Sequence, residues 1–231
     1  MKPLRDWDDL PDFMRTEEVR PYYDNLKKHE KELYLKRAFD LVAASILLIL
    51  LAPVMLIVAV WIKLDSPGPV FFRQTRITQY GKEFQIFKFR TMVNNADKVG
   101  SAVTIARDAR ITHVGGVIRK YRIDEFPQLL NVLSGDMSFV GTRPETMEFV
   151  SHYNNEYYAT LLLPAGITSE ASIRYKDEAV LLDTAADVKR IYIENVLPEK
   201  MKYNLLSIKK FSFVGEIVIM FRTVIAVLVK E

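Results

Sequence analysis

Between Asp40 and Lys63 the chain runs for 22 residues, Leu41 to Ile62, without a charged side chain. As a straight α-helix this segment would measure about 33 Å, enough to cross the roughly 30 Å hydrocarbon core of a bilayer. A buried helix of that length and uniformity would be unusual in a soluble domain. The segment therefore sets the frame for everything around it. Pro53 stands near its middle, where a proline removes a backbone hydrogen bond and kinks a helix. Two topologies follow: a spanning helix, or one that enters, bends at Ala52-Pro53 and leaves by the same face. Lys27, Lys28, Lys31, Lys36 and Arg37 precede the segment, and Lys63, Arg73 and Arg76 follow it. Positive charge marks the cytoplasmic side, so cations on both flanks favour the re-entrant form.

The chain has 231 residues, which suits one domain with attachments. A formal net charge of +3, with no basic run interleaved with aromatics, excludes a nucleic-acid-binding class. The sequence contains no cysteine, so neither a disulfide framework nor a thiolate metal site is available. The first thirty residues hold no apolar stretch of the kind found in a cleavable signal peptide. Residues 1–35 are polar and mixed in charge. They read as a surface extension that packs on the main body, with Phe13, Tyr22, Tyr23 and Leu26 available for docking.

The chemistry concentrates between Arg119 and Pro144. Asp124 and Glu125 are adjacent carboxylates, preceded by Arg119, Lys120 and Arg122 and followed by Arg143. Phe126, Leu129, Leu130 and Leu133 have helical spacing, and Ser134-Gly135 is a stop signal. If the helix begins near Asp124, both carboxylates sit at its N-terminal end. There the free N–H groups and the dipole keep a carboxylate ionised and attract phosphate. Ionised carboxylates among cations suit chemistry on a phosphate. The same residues also suit a capped amphipathic helix with a solvated charge cluster, and these features alone leave the two readings level.

Either side of this stretch the signals are simpler. Asp65-Ser-Pro-Gly-Pro69 is a turn cluster leaving the membrane. Val70–Arg73 and Phe84–Phe89 read as short strands, with Thr78–Lys82 as the hairpin loop. If the strand persists that far, the period of two puts Phe84, Ile86, Lys88 and Arg90 on one face, which aims Lys88 and Arg90 at an anion or lets them snorkel at the membrane surface. A mobile loop is expected around Lys98–Ser101, and Thr112 is expected to cap a helix that carries Arg119 and Arg122 on one face. His113 has no ligand partners at metal spacing. Residues 145–162 look helical and tyrosine-rich, Leu163–Ile167 breaks that helix, and Glu170–Tyr175 reads as a strand. Asp177 and Glu178 read as the N-terminus of a further helix. Pro198 opens another that includes Asn204, Leu205 and Ile208. Ile217–Val229 is too short to span, and fits an interfacial helix or a buried core helix.

In this order, several stretches resemble the bacterial sugar transferases that act as monotopic polyprenyl-phosphate phosphoglycosyl transferases. They are Lys36-Arg-Ala-Phe-Asp40, Gly68-Pro-Val-Phe-Phe-Arg-Gln74, Phe87-Lys-Phe-Arg-Thr-Met92, Arg122-Ile-Asp-Glu-Phe-Pro-Gln128 and Asn131-Val-Leu-Ser-Gly-Asp-Met-Ser-Phe-Val-Gly-Thr-Arg-Pro144. The resemblance covers residues 36–231 and is closest to the small members. It implies a mixed α/β, mostly helical fold, anchored by a re-entrant helix-break-helix turning at Pro53, with interfacial amphipathic helices and a short β-hairpin. Three parts are then expected: the extension 1–35, the membrane helix 36–64, and a catalytic part 65–231 on the cytoplasmic face of the bacterial inner membrane, ending in the interfacial helix.

The same resemblance implies a reaction. Asp124 would attack the sugar-bearing phosphate of a UDP-sugar, UMP would leave, and undecaprenyl phosphate would take the sugar phosphate. Asp124 and Glu125 would hold Mg²⁺. Lys88, Arg90 and Arg119 carry over as phosphate-binding cations, and Arg143 and Pro144 as the nucleotide side. The chain departs from the family in two places. Thr142-Arg-Pro144 replaces the usual Pro-Arg-Pro, and Ser169–Tyr175 replaces a glycine- and tryptophan-bearing stretch near where sugar preference is set. Residues 1–35 lie outside the core resemblance and are left to meet a partner or a second copy of the chain. The competing readings are a membrane glycosyltransferase that releases UDP and a non-catalytic membrane scaffold for polysaccharide assembly.

Overall fold

The computed structural model describes residues 2–94, 96, 108–175 and 187–228. The expected loop at Lys98–Ser101 and the acidic pair Asp177-Glu178 lie outside the described residues. The rest is mostly helical, with two small sheets.

Helix α1 (Arg20–Lys28) leads into α2 (Glu30–Asp65), 36 residues that run through Pro53 as one helical element. The helical assignment is therefore unbroken where a break was expected. Two short stretches of α2 are buried. Leu33, Lys36, Asp40 and Ala44 lie near its start, and Val58 and Ile62 near its end. Between and around them Ile49, Leu50, Leu56, Ile57 and Leu64 stand exposed, Leu64 at 82%. Removing each such side chain from water is worth about 1.5–3 kcal/mol, so this surface demands an apolar surrounding.

Strands β1 (Phe71–Ile77) and β2 (Glu83–Phe89) form the expected antiparallel hairpin, with Phe71 opposite Phe89 and Ile77 opposite Glu83. Phe84 and Ile86 enter a core with Leu129 and Val132, whereas Phe89 packs with Val58, Ile62, Val114 and Ile118. Helix α3 (His113–Lys120) starts at Thr112, whose side chain accepts a hydrogen bond from the Gly115 N–H, as its sequence position suggests.

After a 3₁₀ turn at Ile123–Glu125 comes α4 (Gln128–Ser134), closed by Gly135 at φ 89°. Strand β3 (Met137–Val140) then pairs in parallel with β4 (Ala165–Thr168). The sequence reading missed this pairing and took Leu163–Ile167 only as a helix breaker. The two chains approach closely because Gly141 and Gly166 face each other. A Cβ on Gly166 would lie 2.2 Å from the Gly141 backbone. Helix α5 (Met147–Val150) and a 3₁₀ turn at Glu156–Leu161 occupy the tyrosine-rich stretch. Glu170–Arg174, expected as a strand, is helix α6. Ser169 caps it by accepting from the Ser172 N–H, a cap signal that outweighs the β-branched residue in the segment.

Helix α7 (Val188–Ile191) passes through a π turn at Tyr192–Val196 into α8 (Leu197–Lys209). These elements share a core with the N-terminal extension, where Leu4, Met14, Val19 and Leu26 are fully buried. Tyr22 donates to Glu156 (2.6 Å), so the extension packs on the body as expected. Phe13, expected to dock, remains partly exposed against Tyr158. The last helix, α9 (Phe213–Leu228), leaves Val214, Val218, Phe221 and Ile225 exposed along one stripe, while Ile219 and Met220 face the core of α4 and β3.

Candidate active site

Asp124 and Glu125 sit in the 3₁₀ turn before α4, not on its first turn as the spacing suggested. Arg122 immediately before them has φ 57°, in the left-handed region that side chains rarely occupy. This backbone reversal ends α3 and turns the two carboxylates inward, where both are buried. Strain held next to charged buried groups is a recurrent mark of functional sites.

The two carboxylates are treated differently. Glu125 Oε1 accepts from Arg143 Nη2 at 2.6 Å and from Lys88 Nζ at 3.1 Å, with Arg122 Nη1 at 3.8 Å. Burial alone would raise the Glu125 carboxyl, but Arg143, Lys88 and Arg122 together hold it well below the usual carboxylate range. Asp124 has none of these bonds. Its Oδ1 is sealed from solvent without a hydrogen-bond partner. Burial and the neighbouring Glu125 charge push the Asp124 carboxyl up, against the pull of Lys88, Arg119 and Arg122. Two adjacent acids thus diverge, one fixed as an anion and one left unengaged, a pattern that separates structural from reactive carboxylates. Burial also pulls the Lys88 ammonium down, with Glu125 opposing.

The remaining expected residues divide. Arg119, half-buried on α3, contributes to the field at Asp124. Arg143 reaches the dyad through its bond to Glu125, and the carbonyl of the next residue, Pro144, accepts from Arg76 Nη1 at 3.2 Å. Arg90 does not join Lys88. Its Nη1 donates to the Pro67 carbonyl (2.7 Å) and its Nη2 to the Ser66 carbonyl (2.6 Å), at the C-terminus of α2. The strand ends at Phe89, so the alternation that put the two cations on one face does not extend that far.

Several residues that hold the site escaped the sequence reading. Asn131 on α4 accepts from the Phe87 N–H (2.9 Å) and donates to the Gln85 carbonyl (2.8 Å), locking α4 to the strand that carries Lys88. Arg37 donates to the Val132 and Leu133 carbonyls near the end of α4. Lys36 reaches the Val140 carbonyl (2.8 Å) and pairs with Glu216, while Asp40 accepts from the Phe139 N–H (3.2 Å). The spacing of Lys36 and Asp40, four apart beside an apolar run, was the available signal. A second buried network joins Glu145 to Tyr192, with Lys200 Nζ 3.0 Å from the Tyr192 hydroxyl. Its members are distant in sequence and left no local trace. Among the described residues there is no group of three or more His, Asp or Glu able to enclose a metal without help from a ligand.

The site is thus a 3₁₀ carboxylate dyad ringed by cations, in a chain that also exposes a long apolar helix. Residues 31–230 match the family model described as bacterial sugar transferase, and the chain belongs to that family. It is 40% identical over 198 residues to a UDP-N-acetylgalactosamine-undecaprenyl-phosphate N-acetylgalactosaminephosphotransferase of Aeromonas hydrophila, covering 84% of this chain and 44% of that protein. It is 46% identical over 142 residues to a UDP-glucose:undecaprenyl-phosphate glucose-1-phosphate transferase of Caulobacter vibrioides, covering 60% and 53%. The protein of the same description from Escherichia coli is 38% identical over 216 residues, covering 89% and 42%. The chain thus spans about half the length of these relatives.

Proposed function

We propose that this chain transfers a sugar 1-phosphate from a UDP-sugar to undecaprenyl phosphate, releasing UMP, and so starts the assembly of a surface polysaccharide or glycoconjugate. The observation that carries the reading is the asymmetry of the dyad: Glu125 clamped by Arg143 and Lys88, Asp124 buried beside it without a hydrogen bond on Oδ1. Among the carboxylates of the cluster, Asp124 is the one left to act as a nucleophile.

In the first step Asp124 Oδ2 bonds to the sugar-bearing phosphorus. The bond from that phosphorus to the bridging oxygen breaks, and UMP departs with the electron pair. In the second step the phosphate oxygen of undecaprenyl phosphate attacks the same phosphorus and returns Asp124 to its carboxylate. Such transfers need charge neutralisation and alignment more than acid–base work. Lys88, Arg119 and Arg143 supply the positive charge, with Lys88 and Arg143 held in place by Glu125.

The residues present also fit Mg²⁺. Magnesium takes one or two carboxylates and completes its shell with water and substrate phosphate oxygens. Asp124 and Glu125 offer that donor set, since Glu125 Oε2 accepts no hydrogen bond from a described residue. When bound, the ion would neutralise charge on the diphosphate.

The exposed apolar surface of α2 supports membrane association, and its length and composition are enough to cross a bilayer. We read it as re-entrant, because both ends of α2 pack on one body: Leu33 and Ala44 with the extension and β3, Val58 and Ile62 with α3. The apolar stripe of α9 lies in the interface. On this reading we take the active site to lie on the cytoplasmic face of the inner membrane, where a soluble nucleotide sugar can meet a lipid phosphate.

The test mixes membrane-embedded protein with undecaprenyl phosphate, Mg²⁺ and a panel of UDP-sugars, and quantifies UMP and UDP separately. UMP with one sugar is expected. UDP would move the chain to the glycosyltransferase reading, and silence from folded protein across the panel would favour a scaffold.

A further inference from the structure

Gln128 is the first residue of α4 and is 1% exposed, yet its Nε2 has no hydrogen-bond partner. A dry, unsatisfied amide is costly, and native structures keep few of them. The other orphan in this region is Asp124 Oδ1, an acceptor. The two residues are four apart. The backbone between them stays right-handed, from the 3₁₀ turn through Phe126 (φ −55°, ψ −37°) and Pro127 (φ −61°, ψ −16°) into α4. The backbone hydrogen bonds here run three residues back, from Phe126 to Ile123 and from Leu129 to Phe126, so the turn is tighter than α and the two side chains are offset around its axis. An unmet donor and an unmet acceptor therefore lie little more than one tight turn apart along the chain.

No other described residue takes up either group. Lys88, Arg143 and Arg122 converge on Glu125, and Asn131, the next amide along α4, has both its atoms committed to β2.

We propose that Gln128 is a positioning residue for the nucleophile: its carboxamide N–H closes onto Asp124 Oδ1 when substrate binds, fixing the carboxyl plane so that Oδ2 faces the phosphorus. This rests on the reaction proposed above. Once Oδ2 has bonded to phosphorus, Oδ1 is the carbonyl oxygen of the mixed anhydride. The same hydrogen bond then holds that group still for the second transfer. Gln128 touches neither substrate nor leaving group and works only through Asp124. Oδ1 is sealed from water, so no solvent molecule competes for the position.

The test is rapid-quench measurement of UMP formation by the full chain in nanodiscs, with the UDP-sugar that wild type uses, comparing Gln128→Met and Gln128→Glu. Methionine keeps the length and loses the donor; glutamate keeps the shape and offers no donor when ionised. Both variants are expected to lose 10- to 100-fold in the rate of the UMP burst. The burst amplitude should remain that of wild type, and KM for the UDP-sugar should stay within twofold. A merely structural role predicts the reverse, a reduced amplitude from fewer folded molecules at an unchanged rate, and that result overturns the proposal. So does a wild-type rate in either folded variant. Release of UDP by wild type would instead sink the underlying reaction, and the role of Gln128 with it.

Discussion

Arg143 Nη2 lies 2.6 Å from Glu125 Oε1, and the two residues are 18 apart in the chain. This bond ties the turn that presents the dyad to the segment after β3. Together with Lys88 and Arg122 it keeps Glu125 an anion, while Asp124 Oδ1 has no hydrogen-bond partner among the described residues.

Removing the Arg143 guanidinium has two consequences. Arg143→Ala leaves Glu125 with Lys88 and Arg122, and loss of a charge-assisted hydrogen bond is worth about 1.5–3 kcal/mol. Thermal unfolding should show a lower midpoint, and UMP formation should fall at least tenfold. Arg143→Lys should recover stability better than rate, because a lysine restores the charge without the planar fork. Equal recovery of both would show that charge alone matters.

Asp124→Asn should abolish UMP formation and yet stabilise the protein. Burial and Glu125 raise the Asp124 carboxyl in the folded state. The unfolded chain therefore loses this proton first as pH rises, stability falls as pH climbs from the unfolded to the folded pKa, and above the folded pKa the whole penalty is present. Asparagine has no such penalty. A higher melting temperature for the variant at pH 7, with the difference vanishing in acid, is the expected result. Mg²⁺ should raise the melting temperature of wild type more than that of the variant.

Arg90 caps α2 and stands apart from the charge cluster. Arg90→Met should cost about 1.5–3 kcal/mol through the lost bonds to the Ser66 and Pro67 carbonyls. KM for the UDP-sugar should be unchanged in protein that remains folded. A raised KM would return Arg90 to the phosphate-binding set.

At the crossing of β3 and β4, Gly166→Ala would drive a Cβ to within 2.2 Å of the Gly141 backbone. Backbone cannot yield as a side chain tip does, so the cost should reach about 3 kcal/mol, at the upper end for overpacking. Gly116→Ala, where a Cβ meets nothing within 4 Å, is the control and should be neutral or slightly stabilising. Chemical denaturation of the pair measures the difference directly.

The re-entrant reading is open to a labelling experiment, since the chain has no cysteine of its own. Single cysteines at positions 30 and 70 should react with an impermeant reagent from the same side of sealed vesicles. Reaction from opposite sides would make α2 a spanning helix.

The apolar segment, the hairpin and the Thr112 cap were legible because each is written in neighbouring residues. So was the dyad, an adjacent pair amid cations. What could not be read was anything decided by distant partners. The β3–β4 pairing joins segments separated by Gly141 to Pro164, and β4 is only four residues long. Period-two reasoning placed Arg90 with Lys88, but the strand stops one residue earlier and the guanidinium turns to a helix end. Lys36, Arg37 and Asp40 carried a recognisable pattern whose targets, the carbonyls of α4 and the backbone of β3, lie about a hundred residues away.

Those targets matter for more than folding. Arg37 grips the end of α4 from the entry of the apolar helix, and Arg90 grips the exit of that helix from the end of β2. Lys88 lies two residues before Arg90, and the dyad lies one short turn before α4. The lipid-facing element thus serves as a surveyor's datum. In the reaction proposed above, the height of Asp124 over the hydrocarbon is measured from it at two fixed points, so the level at which a lipid-borne phosphate would meet the dyad is set by the chain and not by the length of its own tail.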